Sequence, residues 1–137
     1  LEVKAEMESS DHPLPTGTIT FLFTDIQGST PLWEHDPDAM REAVARHHAI
    51  LYAAAEEQSG HVFKIVGDEF QISLKVPAQA LKAALAAQRA LRDESWGPTG
   101  PIKVRMGIHT GPAELVDGVL HTPFTEKGLD LPTAMGW

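Results

Sequence analysis

TITFLFTDIQGST, residues 18–30, is the stretch on which the reading of the whole chain turns. Strand side chains alternate between faces, so Ile19, Phe21 and Phe23 share one side and Thr20, Leu22 and Thr24 the other. Five of the first six residues are β-branched or aromatic, which suits a pleated backbone. Both sides carry apolar residues, so 18–25 is predicted to be a central strand covered on both faces. A carboxylate, Asp25, stands where the strand runs out, followed by Ile26, Gln27, Gly28, Ser29 and Thr30. Ser and Thr favour helix N-caps, and Gly lets the backbone approach a ligand closely. A carboxylate beside free backbone N–H groups can hold a cation and a phosphate together. It can equally do no more than cap a turn, and this stretch alone leaves both readings open.

The remaining 124 positions bound the answer less sharply. A chain of 137 residues, 42% hydrophobic and 22% charged, suits one globular domain with one core. A net charge of −8 without a long basic run argues against nucleic acid as the partner. There is no Cys, which excludes disulfides and thiolate sites. No run is apolar and long enough to span a membrane, and the start does not read as a signal peptide, so the expected location is cytoplasmic. The chain begins at Leu1 rather than Met and reads as a fragment or a tagged protein.

Residues 1–15 are polar, broken by Pro13 and Pro15, and read as a leader or linker. The core is expected over 16–120 and a divergent tail over 121–137. Ser29 or Thr30 is expected to cap a short helix with Pro31 at its first position. Asp36 then caps a long helix over 37–58, where Met40, Val44, His47 and Leu51 recur at helical spacing and Gly60 ends the run. His47 lies on that apolar stripe and is read as a core or interface histidine, since no second ligand accompanies it. Residues 61–66 and 70–76 read as strands around a tight turn, Gly67-Asp68-Glu69. A second helix is expected over 77–93 with Leu81, Ala84, Leu85, Gln88 and Leu91 buried. A strand over 102–111, interrupted at Gly107 and Gly111, comes next, and 113–120 reads as a further strand or hairpin arm.

The order strand, helix pair, hairpin, helix, strand predicts an α+β, ferredoxin-like (palm-like) antiparallel sheet with helices packed on one face. In that layout Asp25 and Asp68 become possible neighbours. Two carboxylates with the Ile26 carbonyl are a hard-oxygen set suited to Mg²⁺ or Mn²⁺. Two such ions, typically ~3.5–4 Å apart, can clamp an attacking oxygen and a phosphoryl group. An ordinary hairpin turn would also carry Asp68.

FLFTDIQGST resembles the FTDIxGST signature of class III nucleotide cyclases, the adenylate and guanylate cyclase catalytic domains. FKIVGD (63–68) resembles their K-x-x-GD hairpin, and VRMGIHTG (104–111) their later strand-and-turn motif. The resemblance covers roughly 16–118 and implies a head-to-tail homodimer with active sites at the interface. It implies conversion of ATP, or GTP, to the cyclic monophosphate and pyrophosphate. It places Asp25, Ile26 and Asp68 on a two-metal Mg²⁺ or Mn²⁺ site, and Gln27, Gly28, Ser29 and Thr30 along the phosphates. Lys64 matches the adenine-selecting lysine, supplied across the interface; spacing alone reads it as a solvated strand lysine. Arg105 and His109 receive no catalytic role, and Arg105 is expected to make an interface or structural ion pair.

The family continues with an Asn and, four residues on, an Arg. This chain has no Asn at all and no Arg after Arg105. By analogy with an arginine finger, losing that charge costs on the order of 10³–10⁵ in rate. The expectation is therefore a truncated cyclase homology domain, weak or inactive alone. Glu69 replaces the small residue usual after the GD pair. The alternative is a non-catalytic module of a signalling protein that binds nucleotide and metal or merely dimerises. A diguanylate cyclase, suggested by VGDEF (66–70), ranks last because Val66 stands where that signature has Gly.

Overall fold

The computed structural model describes residues 3–4, 17–116 and 119–121. In chain order the elements are β1 (Val3–Lys4), β2 (Gly17–Ile26), α1 (Ser29–His35), α2 (Pro37–Glu57), β3 (His61–Val66), β4 (Glu69–Leu74) and α3 (Pro77–Asp93). A single 3-10 turn (Gly97–Thr99), β5 (Val104–Val116) and β6 (Val119–His121) complete them. The sheet runs β1-β6-β5-β2-β4-β3, and every pairing is antiparallel. Its β5-β2-β4-β3 portion is the ferredoxin-like arrangement, α+β as expected, with β6 and β1 added beside the far half of β5. β1 also touches β3, so the sheet curls and its two edges approach.

β2 is central. From Ile19 to Ile26 every residue is buried. Leu22 and Ile26 face α2 and α3 in one core with Met40, Leu51, Phe70, Ile72, Leu74 and Leu91. On the opposite face Phe21 stacks on Phe23, with ring centroids 5.9 Å apart, and meets the edge of Phe63 at 5.8 Å. Asp36 caps α2 by accepting from the Ala39 N–H at 3.1 Å, with Pro37 at the first position.

Several expectations change. The α1 cap is Gly28, in the left-handed conformation at φ 66°, with no side-chain bond, and Pro31 is the third helical residue. Ser59, not Gly60, takes the left-handed turn after α2, at φ 58°. Gly60 is needed for space, because a Cβ there would lie 3.1 Å from the Ser73 carbonyl and 3.2 Å from Leu74. β4 ends at Leu74, and β5 starts at Val104 and passes through Gly107 and Gly111 unbroken. The pairing of β5 with β2 continues from Val104 to Ala113, so neither glycine is required to turn.

α3 is rotated from its expected orientation. Ala80, Ala83, Ala87 and Leu91 are buried, while Leu81 and Leu85 are exposed. The helix carries two apolar stripes, and the alanine one allows close approach to a sheet already filled by Leu22, Ile72 and Leu74. Most of the expected leader (1–15) and tail (121–137) lies outside the described residues. Val3–Lys4, inside the expected leader, pairs with Leu120 and Val119 and so belongs to the sheet.

Candidate functional site

β2 delivers Asp25 to its far end, directly opposite Arg105 of β5. The guanidinium grips the carboxylate with both arms. Arg105 Nε donates to Asp25 Oδ1 at 2.9 Å and Nη2 to Oδ2 at 2.6 Å. Such paired, charge-assisted bonds are the strong kind. Asp25 is nearly enclosed, its side chain 9% exposed, whereas that of Arg105 is 37% exposed.

The β3–β4 hairpin brings Asp68 to the same place. Val66 pairs with Glu69, leaving the two-residue loop Gly67-Asp68, with Gly67 at φ 62°. The Asp68 carboxylate accepts from the Ser29 hydroxyl and from the backbone N–H groups of Ile26 and Asp68 itself. Burial pushes the Asp68 carboxyl above the usual range; the Ser29 bond opposes this, and the charge of Asp25 adds to it. Strand end, helix start and hairpin therefore converge through one carboxylate. The Ser29 hydroxyl, expected as a helix cap, serves Asp68 instead. Residues 43 apart in the chain meet here, as the layout anticipated.

The neighbouring candidates divide. Ile26 lies between the two carboxylates in the chain, at the end of β2. The Gln27 N–H already donates to the Lys103 carbonyl at 2.8 Å, while Gly28, Ser29 and Thr30 begin α1. Lys64 is not brought to the carboxylates. It sits on the edge strand β3, opposite Gln71, two strands from β2. Among the described residues no three His, Asp or Glu side chains gather as a ready metal cluster.

Two features went unread in the sequence. The partner of Arg105, which was expected only to make an interface or structural ion pair, is one, since register between distant strands leaves no local signal. The other is a set of buried, unpartnered polar atoms: Thr24 Oγ1 and His47 Nε2 on the helix side, Gln71 Oε1 and Ser73 Oγ on the other. Gln71 lies opposite Phe23 and Ser73 opposite Phe21, on the site-bearing side of the sheet. His47 stands apart, fully buried on the helix side. Its Nδ1 is 3.2 Å from Nδ1 of His48, and its ring meets Phe70 edge to face. Burial, then the charge of His48, lowers its pKa to about 4, so it is neutral at pH 7.

The sequence model of the adenylate and guanylate cyclase catalytic domain matches residues 12–122. The chain belongs to that family. This cyclase-family chain is 32% identical over 152 aligned positions to a receptor-type adenylate cyclase of Trypanosoma brucei brucei, a match covering 85% of it and 12% of that protein. It is 32% identical over 122 positions to an adenylate cyclase of Neurospora crassa, covering 75% of it and 5% of that protein. The chain thus spans a small part of the relatives it matches. A solved Trypanosoma brucei adenylate cyclase structure, described as monomeric, superposes with a TM-score of 0.72 at 27% identity, over 83% of this chain and 68% of that one. A bacterial light-regulated adenylyl cyclase shares the fold, with a TM-score of 0.66 at 20% identity over 73% and 56%. Among the described residues no helix of the cyclase domain is long and apolar enough to cross a membrane.

Proposed function

We propose that the chain is the core of an adenylate cyclase catalytic domain that converts ATP to cyclic AMP and pyrophosphate. The observation that carries this is the convergence of Asp25 and Asp68 at the Gly28–Thr30 turn. The relatives named adenylate cyclase support ATP as the substrate. In the reaction the ribose 3′-oxygen bonds to the α-phosphorus and passes its proton to water, while the bond from the α-phosphorus to the α,β-bridging oxygen breaks and that oxygen leaves with pyrophosphate.

The donor set fits a divalent cation. Asp25, Asp68 and the Ile26 carbonyl are all hard oxygens, and the two carboxylates repel one another in a buried setting. Mg²⁺ or Mn²⁺, two ions when fully loaded, would acidify the 3′-hydroxyl and neutralise the triphosphate. The chain's own groups bind and orient. The Gly28, Ser29 and Thr30 turn lies along the phosphates. The position of Gln27 is kept for contact through its side chain, since its N–H is already bonded to Lys103. Lys64 reads adenine from a second copy of the chain, which accords with its distance from Asp25 within one copy. A homodimer and a cytoplasmic location belong to this reading.

Without an Asn, or an Arg beyond Arg105, this chain alone turns over slowly or not at all. The second reading is a non-catalytic module that binds nucleotide and metal or dimerises. Cyclic AMP production from ATP with Mn²⁺, beside Asp25→Ala, separates the two. Low turnover abolished by Asp25→Ala supports the cyclase. With no turnover, Mn²⁺-dependent ATP binding that Asp25→Ala removes supports the binding module, and turnover indifferent to Asp25→Ala, or cyclic di-GMP made from GTP, overturns both.

A further inference from the structure

We propose that Arg105 is the resident counter-ion of Asp25, and that its release is coupled to polyphosphate, so the site takes a divalent cation more tightly with nucleotide than alone. The proposal rests on the reading of Asp25 and Asp68 as metal ligands.

Both oxygens of Asp25 are engaged, at 2.9 and 2.6 Å, and the carboxylate is nearly closed to solvent. A cation that ligates Asp25 meets the positive charge of the guanidinium, which favours its withdrawal. Arg105 cannot go far, because its backbone is locked in β5 opposite Asp25. It also feels the charges of Asp68 and Glu69. Arriving alone, a dication would sit beside the guanidinium, and the two would share the three negative charges of Asp25, Asp68 and Glu69. An incoming triphosphate changes the balance. It gives the displaced guanidinium an anionic partner and supplies further oxygens to the cation. The side chain of Arg105 is more than a third exposed, so it can be reached from solvent. Metal and polyphosphate then each raise the other's affinity, as linkage requires.

Arg105 is on this account a positioning residue, and the effect is read by binding rather than turnover. Free Mn²⁺ is measured by electron paramagnetic resonance as it titrates the chain, without and with a non-cyclisable ATP analogue whose own Mn²⁺ binding is subtracted from a protein-free titration. The wild-type chain is expected to bind Mn²⁺ weakly alone and roughly 5–150-fold more tightly with the analogue, the usual span of coupled sites. Arg105→Gln is expected to bind free Mn²⁺ at least about tenfold more tightly than wild type and to lose most of that coupling. Arg105→Lys keeps a charge without the two-armed grip and should fall between. It also serves if Arg105→Gln fails to fold by circular dichroism. Asp25→Asn supplies the control. If Asp25→Asn weakens Mn²⁺ binding with the analogue while the Arg105 variants bind free Mn²⁺ like wild type, the coupling proposal is wrong and the metal site stands. If Asp25→Asn changes nothing, the metal-site reading fails and the coupling with it.

Discussion

The two faces of the central sheet are built on opposite principles. On the helix side, Leu22, Phe70 and Ile72 pack against Met40, Leu51 and the alanines of α3. On the other side the same strands bear Phe21 and Phe23, then end in the Asp25–Arg105 pair beside Asp68. One face is held by apolar burial. The other keeps charges close together. Buried polar atoms without partners occur on both: Gln71 Oε1 and Ser73 Oγ on the site side, Thr24 Oγ1 and His47 Nε2 on the helix side. An unpaired buried polar group costs roughly 1–3 kcal/mol, a cost both faces carry, so what sets the site face apart is its gathered charge.

Substitutions that strike one face alone test this division. The largest effect is expected from Phe70→Ala. Phe70 is fully buried and ringed by His47, His48 and Tyr52. Removing it should cost about 3–5 kcal/mol in urea unfolding, and a loss below about 1 kcal/mol would break the assignment of stability to the helix side. A smaller effect belongs to His47. The unfolded chain protonates this imidazole near the usual ~6.5, the folded one only near about 4. The unfolded state therefore holds more protons in that window, and stability falls as pH falls through it. Between pH 7 and 5 the loss from this residue is about 2 kcal/mol, present in wild type and missing in His47→Gln. Equal pH dependence of the two melting curves would refute the burial argument.

The parts legible from sequence are those whose signal is local. The alternation of β2, the Asp36-Pro37 start of α2 and the Gly67-Asp68 turn each carry their own chemistry, and together they fix the order of strands. The meeting of Asp25 with Asp68 followed from that order. The rotation of α3 did not follow, because its leucine and alanine stripes both have helical period and only the shape of the sheet chooses between them. Ser29 looked like a cap because a hydroxyl before a helix usually is one, yet Asp68, distant in sequence, captures it. Arg105 was read as an ion-pairing residue, but its partner was hidden in the register of β5 on β2. Val3–Lys4 is too short to show any period.

The central claim is that the Asp25–Asp68 corner holds nucleotide through a divalent cation. Calorimetric titration of ATP into the chain, with Mn²⁺ and with chelator, beside the Asp25→Asn variant, tests it most directly. The account predicts saturable binding that requires Mn²⁺ and weakens by roughly 10–100-fold or more in Asp25→Asn. Binding that survives chelation, or is equally tight in the variant, would contradict it.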